Sequence, residues 1–189
     1  IHAGLYYPAG SLKATWCVHG RERLAAFCAE HTIAHRWTGK LIVATEQGET
    51  QALDDLMVKA QANGARPLLP MDTAELRTRF PNVRAVAALW STGTGIVDSH
   101  GLMVRLRSRA LARGAQVLCR HTVVGAQRMA AGWRVTVRQP DGSRVDIDTD
   151  AVVNAAGLHA DAVARLVCTD ADLPHHVFVK GNYFDLTGP

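Results

Sequence analysis

Between residues 123 and 147, three short runs rich in β-branched residues are divided by Gly132 and by Pro140-Asp141-Gly142. Tight turn signals at that spacing leave each run only its sequence neighbour to pair with. Val123–Arg128, Trp133–Gln139 and Arg144–Ile147 are therefore expected to form an antiparallel three-stranded meander. Before it, Ser99–Arg113 reads as a helix stopped by Gly114, with Leu102, Leu106, Ala110 and Leu111 inward, and Gln116–Cys119 as a strand. After it, Ala151–Asn154 reads as a buried strand and Asp161–Val167 as a helix, while His176–Leu186 alternates like a strand.

The first half carries helical signals. Ser11–Glu30 has Ser11 as a candidate N-cap and Leu12, Trp16, Leu24, Phe27 and Cys28 at helical spacing, with Gly20 weakening its middle. Lys40–Thr45 is a short β-branched run. Gln51–Asn63 places Leu53, Leu56, Met57 and Ala60 on one face, and Asn63-Gly64 is a helix stop. Asp72-Thr73-Ala74-Glu75 has capping-box chemistry for a short helix ending before Pro81, and Ala85–Trp90 reads as a strand. The order of helices and strands implies α/β or α+β architecture.

Composition narrows the function classes. Of 189 residues, 48% are hydrophobic and 20% charged, which excludes a disordered or collagen-like chain. The net charge of +4 comes from scattered basic residues without a polybasic run or interleaved aromatics, which speaks against nucleic acid as a partner. A small anionic ligand suits it. Cys17, Cys28, Cys119 and Cys168 form no C-x-x-C pair, so buried thiols in a reducing compartment, the cytoplasm, are expected and a metal site is not. No apolar stretch is long enough to span a bilayer; peripheral association with a membrane is left open.

Three segments could carry chemistry. In Val152–Asp161, Ala155, Ala156 and Gly157 form a nearly side-chain-free turn between strand and helix, where a phosphate or ribose can approach backbone amides. A tight packing turn explains the same letters. His2–Pro8 concentrates a histidine, two tyrosines and a proline, and His2 could act as a base near neutral pH. A loop packed through its tyrosine rings is the alternative. In Val179–Phe184, Lys180, Gly181 and Tyr183 could hold a carboxylate, as could a plain surface strand. Gly93-Thr94-Gly95 lacks the third glycine of a dinucleotide fingerprint, and adjacent His175 and His176 point to opposite faces of a strand.

Taken in order, I-H-A-G-L-Y-Y-P-A-G-S-L-K-A, G-K-L-I-V-A-T, G-I-V-D-S-H, V-V-N-A-A-G-L-H-A-D and V-K-G-N-Y-F resemble the D-amino-acid-oxidase-like superfamily of FAD-dependent oxidoreductases. Within it the sequence resembles most the L-2-hydroxyglutarate dehydrogenase/oxidase family, above all in its opening run. Cys168, where a glycine often follows the helix, and His100, where proline is frequent, depart from the pattern. Members of the family begin with a Rossmann strand and a G-x-G-x-x-G turn, neither of which is in this sequence, and continue past its last residue. An internal stretch of a longer enzyme is therefore expected, and weak or absent FAD binding by these 189 residues alone.

The resemblance implies an interleaved fold. Residues 1–30 and 96–170 would belong to a Rossmann-like FAD-binding domain, incomplete here, and residues 31–95 and 171–189 to a mixed-sheet substrate domain. It implies FAD as cofactor, with the backbone of Val123 against the adenine and Ala155, Ala156 and Gly157 beside the ADP portion. It places His2 as the catalytic base and Tyr7, Lys180 and Tyr183 as substrate contacts. The implied activity is oxidation of a 2-hydroxy acid, L-2-hydroxyglutarate to 2-oxoglutarate. Amine, amino-acid or glycerol-3-phosphate oxidation is the alternative within the superfamily, and a binding module without activity the alternative outside it.

Overall fold

The computed structural model describes residues 1–168, 173 and 175–182. They fall into two compact units, Ile1–Gln116 and the part from Val117 onward. Each is a mixture of helix and strand.

The first unit is built around a three-stranded antiparallel sheet in the order β2 (Lys40–Ala44), β4 (Ala87–Ser91), β3 (Leu68–Met71). Ile42 faces Leu89, and Leu68 faces Ser91. Side chains alternate across the sheet, so β4 feeds two cores. Leu89 and Ala87 join Ala44, Leu68 and the Leu53, Leu56 and Ala60 stripe of helix α2 (Thr50–Ala62). Ala88 and Trp90 turn the other way, to Met71 and to Leu76 of helix α3 (Thr73–Arg79) and Phe80 beyond it. The Asp72 carboxylate caps α3, accepting from the Glu75 amide at 2.8 Å, as the capping-box spacing predicts.

Helix α1 (Leu12–Glu30) starts at Ser11, whose hydroxyl accepts from the Ala14 amide at 3.2 Å. It runs unbroken through Gly20 and buries Ala14, Arg21 and Cys28, while Leu12 and Trp16 are exposed. The two-residue strands β1 (His35–Arg36) and β5 (Ile96–Val97) pair with each other, and the Gly95 amide donates to the Ile1 carbonyl at 3.2 Å. Helix α4 (Ser99–Leu111), capped by Asp98, buries none of its residues, and Leu106 and Leu111 are exposed. The expected inward face is therefore only partly covered, with Leu102 and Ala110 half-buried. Periodicity tells which residues share a face; it does not supply the surface that covers it.

The second unit holds the meander: β6 (Thr122–Arg128), β7 (Trp133–Arg138) and β8 (Arg144–Thr149), antiparallel in sequence order with Val135 facing Ile147. The turn into β8 is closed by Asp141, which accepts from the Ser143 amide and hydroxyl at 3.0 and 2.6 Å. Helix α5 (Ala160–Val167) packs on β6.

Two expected strands are not formed, and the described part of a third is irregular. Gln116–Cys119 and Ala151–Asn154 have no regular structure, and Val153 lies 88% exposed instead of buried. The described part of His176–Leu186, residues 176–182, is irregular too; the rest lies outside the described residues. β-branched composition makes a strand only where a ladder partner exists, and none of these stretches has one among the described residues. Of the four thiols, Cys28 is buried and Cys17 half-buried. Cys119 and Cys168 are exposed, against the expectation of buried thiols.

Candidate functional site

The segment from His2 to Tyr7 enters the first unit as an extended lead-in to α1, and its apolar residues anchor it. Ala3 and Leu5 are buried in the core shared by α2 and the sheet, Leu5 at 1% exposure. Burying one leucine side chain contributes roughly 1.5–3 kcal/mol, enough to fix a short segment. The flanking residues are less covered: His2 and Tyr6 are exposed and Tyr7 is half-buried.

Polar contacts complete the fixation. Arg21, buried in α1, donates from Nη1 to the Ala3 carbonyl at 3.0 Å and from Nε to Glu22 at 2.9 Å. The Asn63 Nδ2 group at the end of α2 donates to the carbonyls of Gly4 and Tyr7, at 3.1 and 3.0 Å. Gly4 has φ +80°, and a Cβ there would meet Val18 Cγ2 at 3.0 Å. Glycine meets both conditions without strain.

The Gly4 amide donates to His2 Nδ1 at 3.1 Å. In the neutral ring this leaves the proton on Nε2, directed at the Tyr7 hydroxyl 3.5 Å away. The His2 and Tyr7 rings stack with centroids 5.3 Å apart. Burial first, then the Lys40 ammonium and the α-ammonium of Ile1, hold the His2 pKa below the ordinary imidazole value. The imidazole is thus kept neutral, the form a proton acceptor needs. The Lys40 ammonium donates to the Tyr6 hydroxyl at 2.7 Å, and Lys13 lies 5.5 Å from the centroid of the Tyr7 ring.

His2 and Tyr7 are therefore brought together as one cluster. The other expected site residues belong to the second unit. Val123 is on β6, an outer strand of the meander, which among the described residues is paired along one edge only and is irregular between Val123 and Gly125. Ala155, Ala156 and Gly157 form the turn leading through a short 3-10 segment into α5. Asn154 braces that turn: its Oδ1 accepts from the Ala156 amide at 3.2 Å and its Nδ2 donates to the Ala160 carbonyl at 2.6 Å. Gly157 has φ +56°, and nothing lies within 4 Å of where its Cβ would be. The packing of α5 on β6 joins the elements that carry Val123 and this turn. Lys180 is exposed in an irregular stretch, and Tyr183 lies outside the described residues. No metal-ligating cluster of three or more His, Cys, Asp or Glu occurs among the described residues.

Sequence reasoning passed over Lys13, Lys40, Arg21, Asn63 and Asn154. Lys13 and Lys40 sit inside S-L-K-A and G-K-L-I-V-A-T, and in its sequence setting Asn63 signals only a helix stop. The contacts of Lys13, Lys40, Arg21 and Asn63 with the His2 segment are tertiary, and nothing in local spacing announces them.

A model of the FAD dependent oxidoreductase (DAO) family matches residues 1–189. The chain is similar to the mitochondrial L-2-hydroxyglutarate dehydrogenase of Caenorhabditis briggsae, 35% identical over 184 residues, covering 97% of this chain and 42% of that protein. It is 31% identical over 216 residues to the mitochondrial L-2-hydroxyglutarate dehydrogenase of Arabidopsis thaliana, covering 100% of this chain and 45% of that one. Among solved structures, dithionite-reduced L-alpha-glycerophosphate oxidase from Mycoplasma pneumoniae with FAD bound matches with a TM-score of 0.77 at 20% identity, over 88% of this chain and 44% of that chain. The chain belongs to the DAO family of FAD-dependent oxidoreductases. It spans less than half the length of the curated relatives it matches, 42% and 45% in these two.

The family's cofactor is FAD, and the second unit has features that suit the adenosine end of that molecule. The open, side-chain-poor turn at Gly157 admits close backbone approach, and the one-sided pairing of β6 leaves backbone groups for a planar base. No helix among the described residues is long and apolar enough to cross a membrane.

Proposed function

We propose that the protein carrying this chain oxidises L-2-hydroxyglutarate to 2-oxoglutarate. The observation that carries the reading is the His2 imidazole, whose Nδ1 accepts from the Gly4 amide and whose ring stacks on Tyr7, in a chain of the FAD-dependent oxidoreductase family. The names of the relatives above support this choice of substrate.

Oxidation of a 2-hydroxy acid removes a hydride from C2 and a proton from its hydroxyl. FAD, when bound, accepts the hydride. The proton goes to His2. Nδ1 bears the lone pair of the neutral ring, so the Gly4 amide that now occupies it gives way as the substrate hydroxyl takes its place. Tyr7 keeps the ring oriented and borders the substrate. Lys180 and Tyr183 are assigned as further substrate contacts. Val123 would hold the adenine through its backbone, and Ala155, Ala156 and Gly157 the ADP portion. The same reading assigns residues 1–30 and 96–170 to the flavin-binding domain and 31–95 and 171–189 to the substrate domain.

The test is anaerobic reduction of the flavin-loaded protein, followed by bleaching of its visible band. L-2-Hydroxyglutarate should bleach it, and the D-enantiomer, glycerol 3-phosphate and glycine should not. Replacing His2 with Ala should slow bleaching roughly 10²–10⁴-fold without loss of flavin, the range for a missing general base. Bleaching by glycerol 3-phosphate or an amine, with none by a hydroxy acid, would replace this reading with another activity.

A further inference from the structure

We propose that Lys13 and Lys40 form a carboxylate-recognition site beside His2 that takes up the charge of a dianionic dicarboxylate. The proposal rests on the functional reading above and deepens it.

The two lysines converge on neighbouring aromatic rings. Lys40 Nζ lies 4.4 Å from the Tyr6 ring centroid and donates to that residue's hydroxyl at 2.7 Å. Lys13 Nζ lies over Tyr7, the ring on which His2 is stacked. Each of two residues adjacent in sequence, Tyr6 and Tyr7, thus carries one ammonium group against its ring.

Neither has an acidic counterpart. Among the described residues the cations of ion pairs are Arg21, Arg66, Arg79, Arg109, Arg134, His31 and His176; Lys13 and Lys40 are not among them. The charges that act on His2 are likewise all positive, Lys40 and the α-ammonium of Ile1. Two cations on adjacent tyrosines, with no ion-pair carboxylate on either among the described residues, leave positive charge uncompensated there, and an anion relieves it.

The chemistry matches the place. In a 2-hydroxy acid one carboxylate is bonded directly to the reacting carbon, so the cation that holds it has to lie close to the base. Lys40 is near enough for its charge to act on the imidazole. A second carboxylate, farther along the molecule, calls for a second cation. The cavity of about 660 Å³ lined by Tyr6 and α2 does not suit this ligand, because Glu49 and Asp55 are in its wall. A bound dianion also offsets the repulsion between Lys40 and a protonated His2, which strengthens the base only when substrate is present.

The experiment uses the flavin-loaded protein with Lys13→Met and Lys40→Met, each checked for flavin content, Lys→Arg at both positions, and Arg77→Met as a remote charge control, all at constant ionic strength. Two quantities are read: KM for L-2-hydroxyglutarate against the monoanion L-2-hydroxybutyrate, and calorimetric binding of glutarate. Each methionine variant should raise the KM for the dianion and the glutarate Kd about tenfold or more, the worth of one charge-assisted hydrogen bond. The monoanion should lose less, the arginine variants should recover part, and Arg77→Met should match the parent. Unchanged KM and Kd in both methionine variants would overturn the site. If no hydroxy acid reduces the flavin, the functional reading fails, and the titration still decides: glutarate bound by the parent and lost in both variants supports the lysine pair, while none bound by the parent overturns it.

Discussion

Asn63 and Tyr7 stand 56 positions apart in sequence, yet the Asn63 Nδ2 group donates to the Tyr7 carbonyl at 3.0 Å. The same nitrogen donates to the Gly4 carbonyl, so one carboxamide at the end of α2 holds both flanks of the segment that carries the imidazole. Asn63→Ala removes both bonds and strands two partly buried carbonyls. It should lower stability by about 1–3 kcal/mol and should weaken the stacking of His2 on Tyr7. Urea unfolding measures the first. A variant as stable as the parent would show that the clamp carries no net free energy.

Gly4→Ala tests the same segment from the backbone. The left-handed φ costs a side-chain-bearing residue about 1–2 kcal/mol, and the contact with Val18 adds to it. The Gly4 amide should no longer hold Nδ1 unprotonated and the ring in place before substrate arrives, and flavin reduction should slow even in molecules that remain folded. Normal reduction rates in a stable variant would separate the amide from the chemistry.

Arg21 and Glu22 form a pair of unequal burial, with side chains 3% and 52% exposed. Arg21→Met leaves the buried Ala3 carbonyl without its donor inside the protein, which costs about 1–3 kcal/mol. Glu22→Gln keeps an acceptor at the surface and should cost under about 1 kcal/mol. Chemical denaturation of the two variants side by side should show that inequality; equal losses would contradict it.

Burial and the neighbouring positive charge of Lys40 and the α-ammonium of Ile1 place the folded-state pKa of His2 below its unfolded value of about 6.5. Between those two values the unfolded chain binds the extra proton. Stability therefore rises with pH across that window and is lost as pH falls through it. The acid limb of kcat/KM for flavin reduction should accordingly lie below about 6.5 and should move up when Lys40 is replaced by Met. Rate profiles against pH, with an NMR titration of the imidazole, check both. A limb at or above the ordinary value would mean that Lys40 and burial do not govern the base.

Lys180→Met should raise KM for the dianion with a smaller change in the saturated rate, the pattern of lost ground-state and transition-state binding together. Steady-state kinetics decide it. An unchanged KM would return Lys180, exposed in its irregular stretch, to a solvated role.

Local chemistry was legible in the sequence wherever it was self-contained. Ser11 and Asp72 announced their helices, and Pro140-Asp141-Gly142 announced the meander, because caps and turns are decided by a few adjacent residues. Strand β3 was not foreseen, since Pro70 argues against a strand interior; it is tolerated because β3 is an edge. The two-residue strands β1 and β5 were invisible for the opposite reason, having no pattern apart from each other. Residues 116–119 and 151–154 have strand composition without a ladder. At the site, His2 and Tyr7 were found because they share one motif. Their neighbours Lys40 and Asn63 come from elements 34 and 56 positions away from the tyrosines they touch, a relation that only the folded chain reveals.

The long reach of those contacts sets an order of events. The meander joins strands adjacent in sequence and can form as soon as it is made. The His2 segment, although it precedes α1, gains its clamp only when Asn63 exists and its closing bond only when Gly95 does. Contacts across so many residues form late, because the entropy of closing the intervening loop has to be met first. In pulsed hydrogen exchange during refolding, the meander amides should be protected early, and the Gly4 amide that positions the base only after the first unit has closed.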